Sequence, residues 1–285
     1  MMKASVASVQ VTKVNPQGVL RQPDLVSVEE PLEIRLVHGP AGERVKQPVA
    51  ITMRTPGHDF ELAMGFLFTE GIVANATDIV HMRYCTETEM PEAWQNTLMV
   101  DLRPGMEVNL SSLERNFYIS SSCGVCGKRA IEALKTFAGR EALSPKSHQV
   151  KRQTLCKLPL VLRQRQAVFE HTGSLHGCAF FTFDGQIHLL REDVGRHNAL
   201  DKLIGACMAN NSVNMSESIL ILSGRVSFEL IQKAAMARVP VVVAVGAPSS
   251  LAVQTANDLG MTLVGFLAHD RFNVYSHHQR IELNM

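Results

Sequence analysis

The sequence is poor in the features that mark membrane, secreted and nucleic-acid-binding proteins. It has one tryptophan, three tyrosines and a net charge of +1 across 285 residues. Without a surplus of positive charge or interleaved aromatics, no broad surface for nucleic acid or an anionic membrane is expected. An anionic ligand would have to be held by a local cluster of donors. No apolar stretch reaches the roughly 20 residues of a membrane-spanning helix. The longest, residues 239–245, is broken by Pro240 and has the length of a buried strand. The first residues, Met1-Met2-Lys3-Ala4-Ser5-Val6-Ala7-Ser8, lack a sustained apolar core, so no signal peptide and a cytoplasmic location are expected. There is no P-loop and no G-x-G-x-x-G fingerprint.

Hydrophobic residues make up 46% and charged residues 19%, enough apolar material for a large globular core in one or two domains. The six cysteines are Cys85, Cys123, Cys126, Cys156, Cys178 and Cys207. In a long chain with no export signal, reduced thiols are the default. Two of them form Ser122-Cys123-Gly124-Val125-Cys126-Gly127-Lys128, with apolar residues at helical spacing after it: Ile131, Leu134, Phe137 and Ala138. The sulfurs are thus expected at a helix N-terminus, where unpaired N–H groups, Lys128 and Arg129 favour a thiolate. The spacing leaves two chemistries open, sulfur transfer or redox on one side and a zinc half-site on the other. Zinc would need two further ligands, and no second C-x-x-C exists.

The first part of the chain reads as β-rich, with strands near residues 26–28, 32–37 and 49–53. A turn at Thr55-Pro56-Gly57-His58 then leads to a helix capped by Asp59, with Leu62, Ala63, Phe66 and Leu67 on one face and Gly71 at its end. Residues 85–95 read as a polar connection. The second part is more regular. A hairpin is expected around Asp184-Gly185 with a type I′ turn. A helix through Leu200, Leu203, Ile204, Cys207 and Met208 follows. Strands at 218–222, 241–245 and 263–267 alternate with helices at 228–238 and 251–259, the pattern of βαβ units in a layered sheet. The boundary is placed between 1–112, a mixed β-rich unit, and 113–285, an α/β unit carrying the C-x-x-C loop.

Three loops should gather at the carboxyl ends of these strands, where open α/β sheets bind ligands. They are Ser223-Gly224-Arg225-Val226-Ser227, Gly246-Ala247-Pro248-Ser249-Ser250 and Phe266-Leu267-Ala268-His269-Asp270-Arg271. The run from Arg191 through Asn198 is dense in donors. Arg196 and His197 suit a phosphate at a helix N-terminus, or else the run is a capped helix with Asp193 or Asn198 as cap. In His171-Thr172-Gly173-Ser174-Leu175-His176-Gly177-Cys178, the cysteine reads as a small core residue.

Taken together, these segments resemble the FdhD family of formate dehydrogenase accessory sulfurtransferases. The resemblance is carried by Arg54-Thr55-Pro56-Gly57, Gly65-Phe66-Leu67, Glu70-Gly71-Ile72, the C-x-x-C run, Arg191 through Lys202, Ser223-Gly224-Arg225 and Asn273-Val274-Tyr275. Where the family often has glycine and alanine, this chain has Ser174 and Cys178. The resemblance implies an αβα-layered, cytidine-deaminase-like α/β fold with a smaller β-rich N-terminal part. It implies sulfur delivery by an IscS-type cysteine desulfurase and a persulfide on Cys123. Cys126 either releases the sulfur by forming a disulfide or supports the loop. The implied acceptor is the molybdenum bis(molybdopterin guanine dinucleotide) cofactor, before its insertion into formate dehydrogenase apoprotein. Phe266, Leu267, Ala268, His269, Asp270 and Arg271 are the implied contacts to that cofactor, with Arg196, His197, Arg225 and Arg271 as candidate phosphate anchors. No tightly held metal, nucleic acid or membrane is implied, and a homodimer is compatible. Two alternatives are a non-catalytic chaperone for the cofactor and a zinc deaminase. The second lacks the H-x-E segment, and Ser122 stands where its P-C-x-x-C motif has proline.

Overall fold

The computed structural model describes residues 3–85, 91–108, 149–211 and 213–283. Both C-x-x-C cysteines, the helix expected after them and the 112/113 boundary lie outside these residues. The chain opens with a two-stranded hairpin, β1 (Val6–Asn15) and β2 (Gly18–Ser27). A four-stranded sheet follows, made of β3 (Glu30–His38), β4 (Val45–Arg54), β5 (Ile79–Tyr84) and β6 (Thr97–Leu102) in the order β4-β3-β6-β5. Helix α1 (Asp59–Thr69) packs Leu62, Ala63, Phe66 and Leu67 onto Leu32, Ile34, Leu36, Leu98 and Val100 of this sheet.

After the short β7 (Val150–Lys151) come α2 (Arg152–Arg165) and α3 (Ala167–Thr172). A six-stranded mixed sheet is then built from β8 (His176–Phe181), β9 (Ile187–Asp193), β10 (Ile219–Leu222), β11 (Val241–Ala244), β12 (Thr262–Gly265) and β13 (Asn273–Ser276). Its order is β13-β12-β11-β10-β8-β9, with the three central strands parallel and the flanking pairs antiparallel. Helices α4 (Arg196–Asn210), α5 (Phe228–Met236) and α6 (Ser250–Asp258) cover one face, and α2 covers the other. This explains the near-continuous apolar runs of β10 and β11. Leu220, Leu222, Val242 and Ala244 face one helix layer, while Ile219, Ile221, Val241 and Val243 face α2. The last strand, β14 (Ile281–Glu282), pairs with β7.

The strands and helices expected at 218–267 are present within a residue or two. Two local expectations are corrected. The 184–185 hairpin is not type I′, which needs positive φ at both central residues. Only Gly185 has it (φ 90°), and Gly185 N–H donates to Thr182 O at 3.0 Å, so a three-residue loop closes the hairpin. Asp59 is not the cap of α1. His58 caps it in the left-handed region (φ 59°), and the Asp59 carboxylate is taken by Arg54 at 2.9 Å. The polar stretch expected as a connection does link β5 to β6, and a 3-10 turn at Pro91–Asn96 lies within it.

The two sheets meet where α1 crosses α4. Gly65 and Gly205 face each other so closely that a Cβ on Gly65 would lie 1.9 Å from Asp201 O, and one on Gly205 1.9 Å from Glu61 O. Only hydrogen side chains permit that approach. Alanine in a helix interior normally stabilises by about 1 kcal/mol relative to glycine. Here the obstacle is backbone, so Gly205→Ala is expected to lower unfolding free energy by at least about 2 kcal/mol in urea titrations, reversing the usual sign.

Candidate functional site

The run from Arg191 to Lys202 leaves β9 and enters α4, and most of it is occupied in joining the two sheets. Arg191 makes a forked pair with Glu61 of α1, at 2.5 and 2.8 Å. The Glu192 carboxylate accepts from the Val168 and Phe169 N–H groups at the start of α3. Asp193, with no exposed surface, accepts from Lys202 at 2.6 Å, Thr55 N–H at 3.1 Å, Gly195 N–H at 2.8 Å and Asn198 Nδ2 at 3.2 Å. Asn198 also donates to Met53 O, and Lys202 to Thr55 O. One turn further, Asp201 accepts from Thr69 at 2.9 Å and pairs with Lys233 of α5 at 3.0 Å. Asp193 is therefore neither a simple cap nor a free ligand; it is the anchor of a buried polar cluster. Removing one partner of such a pair strands a buried charge.

Two side chains of the run remain. Arg196 Nε is buried with no hydrogen-bond partner among the described residues. His197 Nε2 lies 3.2 Å from Ser227 Oγ at the head of α5. Burial, with Lys233 and Arg196 nearby, brings the His197 ring down to about 4, so it is neutral at physiological pH. His176 is likewise held low by burial and by Arg196, with Arg225 adding to the effect and Asp193 opposing it. The positive charge in this corner therefore resides on the arginines, and His197 contributes a neutral hydrogen-bonding ring.

The three loops expected at the strand ends are stitched together by backbone bonds. Ser223 N–H donates to Gly177 O, Gly246 N–H to Gly224 O, and Phe266 N–H to Gly246 O, at 2.9, 3.1 and 3.1 Å. Gly246 is required because a Cβ would lie 2.8 Å from Gly224 backbone and Arg225 N. Phe266 holds a left-handed conformation (φ 53°) while 50% exposed, a strained state for an aromatic residue. Leu267 anchors its loop in the core; His269, Asp270 and Arg271 are exposed and Ala268 is half-buried. Arg225 is exposed on the neighbouring loop. No group of three or more potential metal ligands occurs among the described residues.

Residues 27–282 match the model of the FdhD/NarQ family. The chain belongs to the FdhD/NarQ family. It is 46% identical over 275 residues to the protein named sulfur carrier protein FdhD in Streptomyces coelicolor, covering 96% of this chain and 95% of that one. The Mycobacterium tuberculosis protein of the same name is 45% identical, covering 95% and 97% of the two chains. The Sulfolobus acidocaldarius protein of that name is 37% identical, covering 98% and 99%. The fold is also that of a formate dehydrogenase accessory protein from Desulfotalea psychrophila, with a TM-score of 0.72 at 22% identity over 98% of this chain and 100% of the other.

Within this family member, the two departures noted in the sequence are structural. Cys178 is buried in the core and burial pushes its thiol far up, so it stays protonated. Ser174 is exposed and its hydroxyl meets Ser27 of β2 at 2.8 Å. Sequence reasoning missed Gln166 and α2 beside the strand-end loops. The signal was weak, because Pro159 interrupts the helical pattern of α2.

Two pH effects follow. The unfolded chain, whose histidine titrates near 6.5, binds a proton that folded His197 refuses until about pH 4. Stability should therefore decline as pH falls from 6.5 to 4, and His197→Gln should flatten that slope in urea titrations. Burial pushes Glu61 up, but the bonds from Arg191 and His58 outweigh it and hold the carboxyl at about 2. The deficit of Glu61→Gln should be full above pH 4.5 and vanish toward pH 2. Lys202→Met, which strands Asp193, should cost about 3–5 kcal/mol.

Proposed function

We propose that this chain is a sulfur carrier that serves formate dehydrogenase, with Cys123 as the persulfide-bearing residue. The observation that carries this is Cys123-Gly124-Val125-Cys126-Gly127 in a chain that aligns almost end to end with relatives named sulfur carrier proteins. The Cys123 thiolate attacks the outer sulfur of a persulfide on an IscS-type cysteine desulfurase. A new S–S bond forms, the donor S–S bond breaks, and the desulfurase cysteine leaves as a thiolate. Release is balanced if Cys126 attacks Cys123 Sγ. A Cys123–Cys126 disulfide forms and the terminal sulfur departs as hydrosulfide, having gained the two electrons that the thiols lose.

The acceptor in this reading is the molybdenum bis(molybdopterin guanine dinucleotide) cofactor, bound as substrate before it enters formate dehydrogenase apoprotein in the cytoplasm. Its phosphates suit the arginine-rich strand edge, where Arg196 and Arg225 stand near His176 and Arg271 lies on the exposed 266–271 loop. The family resemblance assigns Phe266, Leu267, Ala268, His269, Asp270 and Arg271 to cofactor contact, with the buried Leu267 holding the loop in place. The second sheet, with helices on both faces and an antiparallel pair beside a parallel core, is read as cytidine-deaminase-like.

Incubation with a cysteine desulfurase and cysteine, followed by peptide mass analysis, should add one sulfur atom at Cys123. In Cys123→Ala the addition and the activation of formate dehydrogenase should both disappear, while the fold persists. Activation by Cys123→Ala at the wild-type level would instead mean a chaperone that carries no sulfur. Arg225→Ala should weaken pyrophosphate binding about tenfold, as expected for loss of a hydrogen bond to a charged group.

A further inference from the structure

Helix α2 stands apart in charge. With the residue before it, it carries Lys151, Arg152, Lys157, Arg163 and Arg165 and no carboxylate, although the whole chain is balanced at +1. All of these cations are exposed, and none pairs with a carboxylate among the described residues. Lys151 and Arg152 stand at the helix N-terminus, where the helix dipole is already positive, so the charge is kept against the local preference for acids there. Helical spacing puts Gln153, Lys157, Leu160 and Gln164 on the side opposite Leu155, Leu158 and Leu162, which are buried in the core. Leu160 is 56% exposed in the middle of that outward side. An apolar side chain ringed by long cations is suited to a protein surface that offers an apolar seat with carboxylates around it. A membrane-surface helix would turn its apolar face outward, and here that face is spent on the sheet. A single-stranded nucleic acid would need exposed aromatic rings to stack on, and α2 has none. The helix also borders the edge read as the cofactor site. Leu155 and Leu162 share a buried cluster with Leu267 of the 266–271 loop, Cys156 lies within electrostatic reach of Asp270, and Leu162 and Arg163 line the cavity beside Ser223 and Val245.

We propose that the outward face of α2 is the docking surface for an acidic face of the protein that receives the cofactor, the formate dehydrogenase apoprotein. The inference rests on the carrier reading above, which supplies that recipient. Arg152 and Lys157 meet carboxylates of the recipient, and Leu160 packs at the centre of the contact. The charges steer the encounter and fix its orientation, while the apolar contact excludes water. Docked there, the recipient stands beside the strand edge, so the cofactor passes from one protein to the other without a free step in solution.

Calorimetric titration of the full chain with purified formate dehydrogenase apoprotein tests this. The double variant Arg152→Glu, Lys157→Glu should bind at least about tenfold more weakly than the wild type. Raising salt from about 0.05 to about 0.2 M should weaken the wild type severalfold and the double variant much less. Leu160→Ala should weaken binding severalfold with the salt dependence kept. These positions are exposed, and an acid at the head of α2 suits the helix dipole, so the urea midpoint of Arg152→Glu should equal or exceed that of the wild type. Loss of binding in a chain that is no less stable separates docking from packing. Leu160→Ala serves if the double variant fails to fold. Sulfur loading of Cys123 by a cysteine desulfurase, measured on the same samples, should match the wild type in every variant. No wild-type binding to the apoprotein, binding unchanged in the folded variants, or equal affinity for anionic phospholipid vesicles would overturn the assignment. A loss of Cys123 loading in the charge-reversed chain would also overturn it, since the face would then serve the sulfur donor. If wild-type Cys123 loads while the docking results fail, the α2 surface alone is wrong; if wild-type Cys123 never loads, the carrier reading falls whatever binds α2.

Discussion

Two helices crossing at backbone contact hold this molecule together. At Gly65 and Gly205 there is no side chain to separate α1 from α4, so Asp201, Lys202, Glu61 and Arg191 are brought within reach of partners on the opposite element. The buried ions on either side of the crossing are tolerable because each finds its counter-charge there. Arg191 with Glu61 joins segments 130 residues apart, Lys233 with Asp201 ties α5 to α4, and Lys202 with Asp193 closes the run itself. Widening the crossing by one methyl group would stretch the Arg191–Glu61 pair and the Thr69–Asp201 bond at once.

That clamp also shapes the strand edge. With Asp193 and Lys202 saturated inside, the head of α4 places His197 against Ser227 after β10, with Arg196 beside it. Burial and the neighbouring cations keep both nearby histidines neutral, so the arginines set the charge of the corner. The loops are held in register by main-chain bonds running from Gly177 through Gly224 and Gly246 to Phe266. A rigid edge of this kind places donors before a ligand arrives, which reduces the ordering cost of binding. The strained Phe266 sits at its end.

The packing of α2 gives the edge its other wall. Leu155, Leu158 and Leu162 bury against the sheet face made by Ile219, Ile221, Val241 and Val243. The same helix then ends at Gln166, whose amide rests on Gly177. Core packing and the wall of this edge are thus the work of one element.

The sequence by itself determined the alternation of strands and helices from residue 218 onward, because runs such as Ile219–Leu222 and Val241–Ala244 are apolar on both faces and bounded by serine, proline and glycine. It also marked the C-x-x-C sulfur motif and the three strand-end loops, since glycine and proline punctuate a chain locally. The family was legible from the long run ending at Lys202. What that run does was not, because Asp193, Asn198 and Lys202 find Thr55, Met53 and Thr52 more than a hundred residues away. The hairpin of β1 and β2 was largely missed, as its exposed strands lack the alternation that burial of one face imposes. Only the tertiary structure decided that two glycines in separate helices touch, that the histidines are neutral and that Gln166 packs on Gly177. Burial and proximity between distant segments create those properties, and no local pattern of residues encodes them.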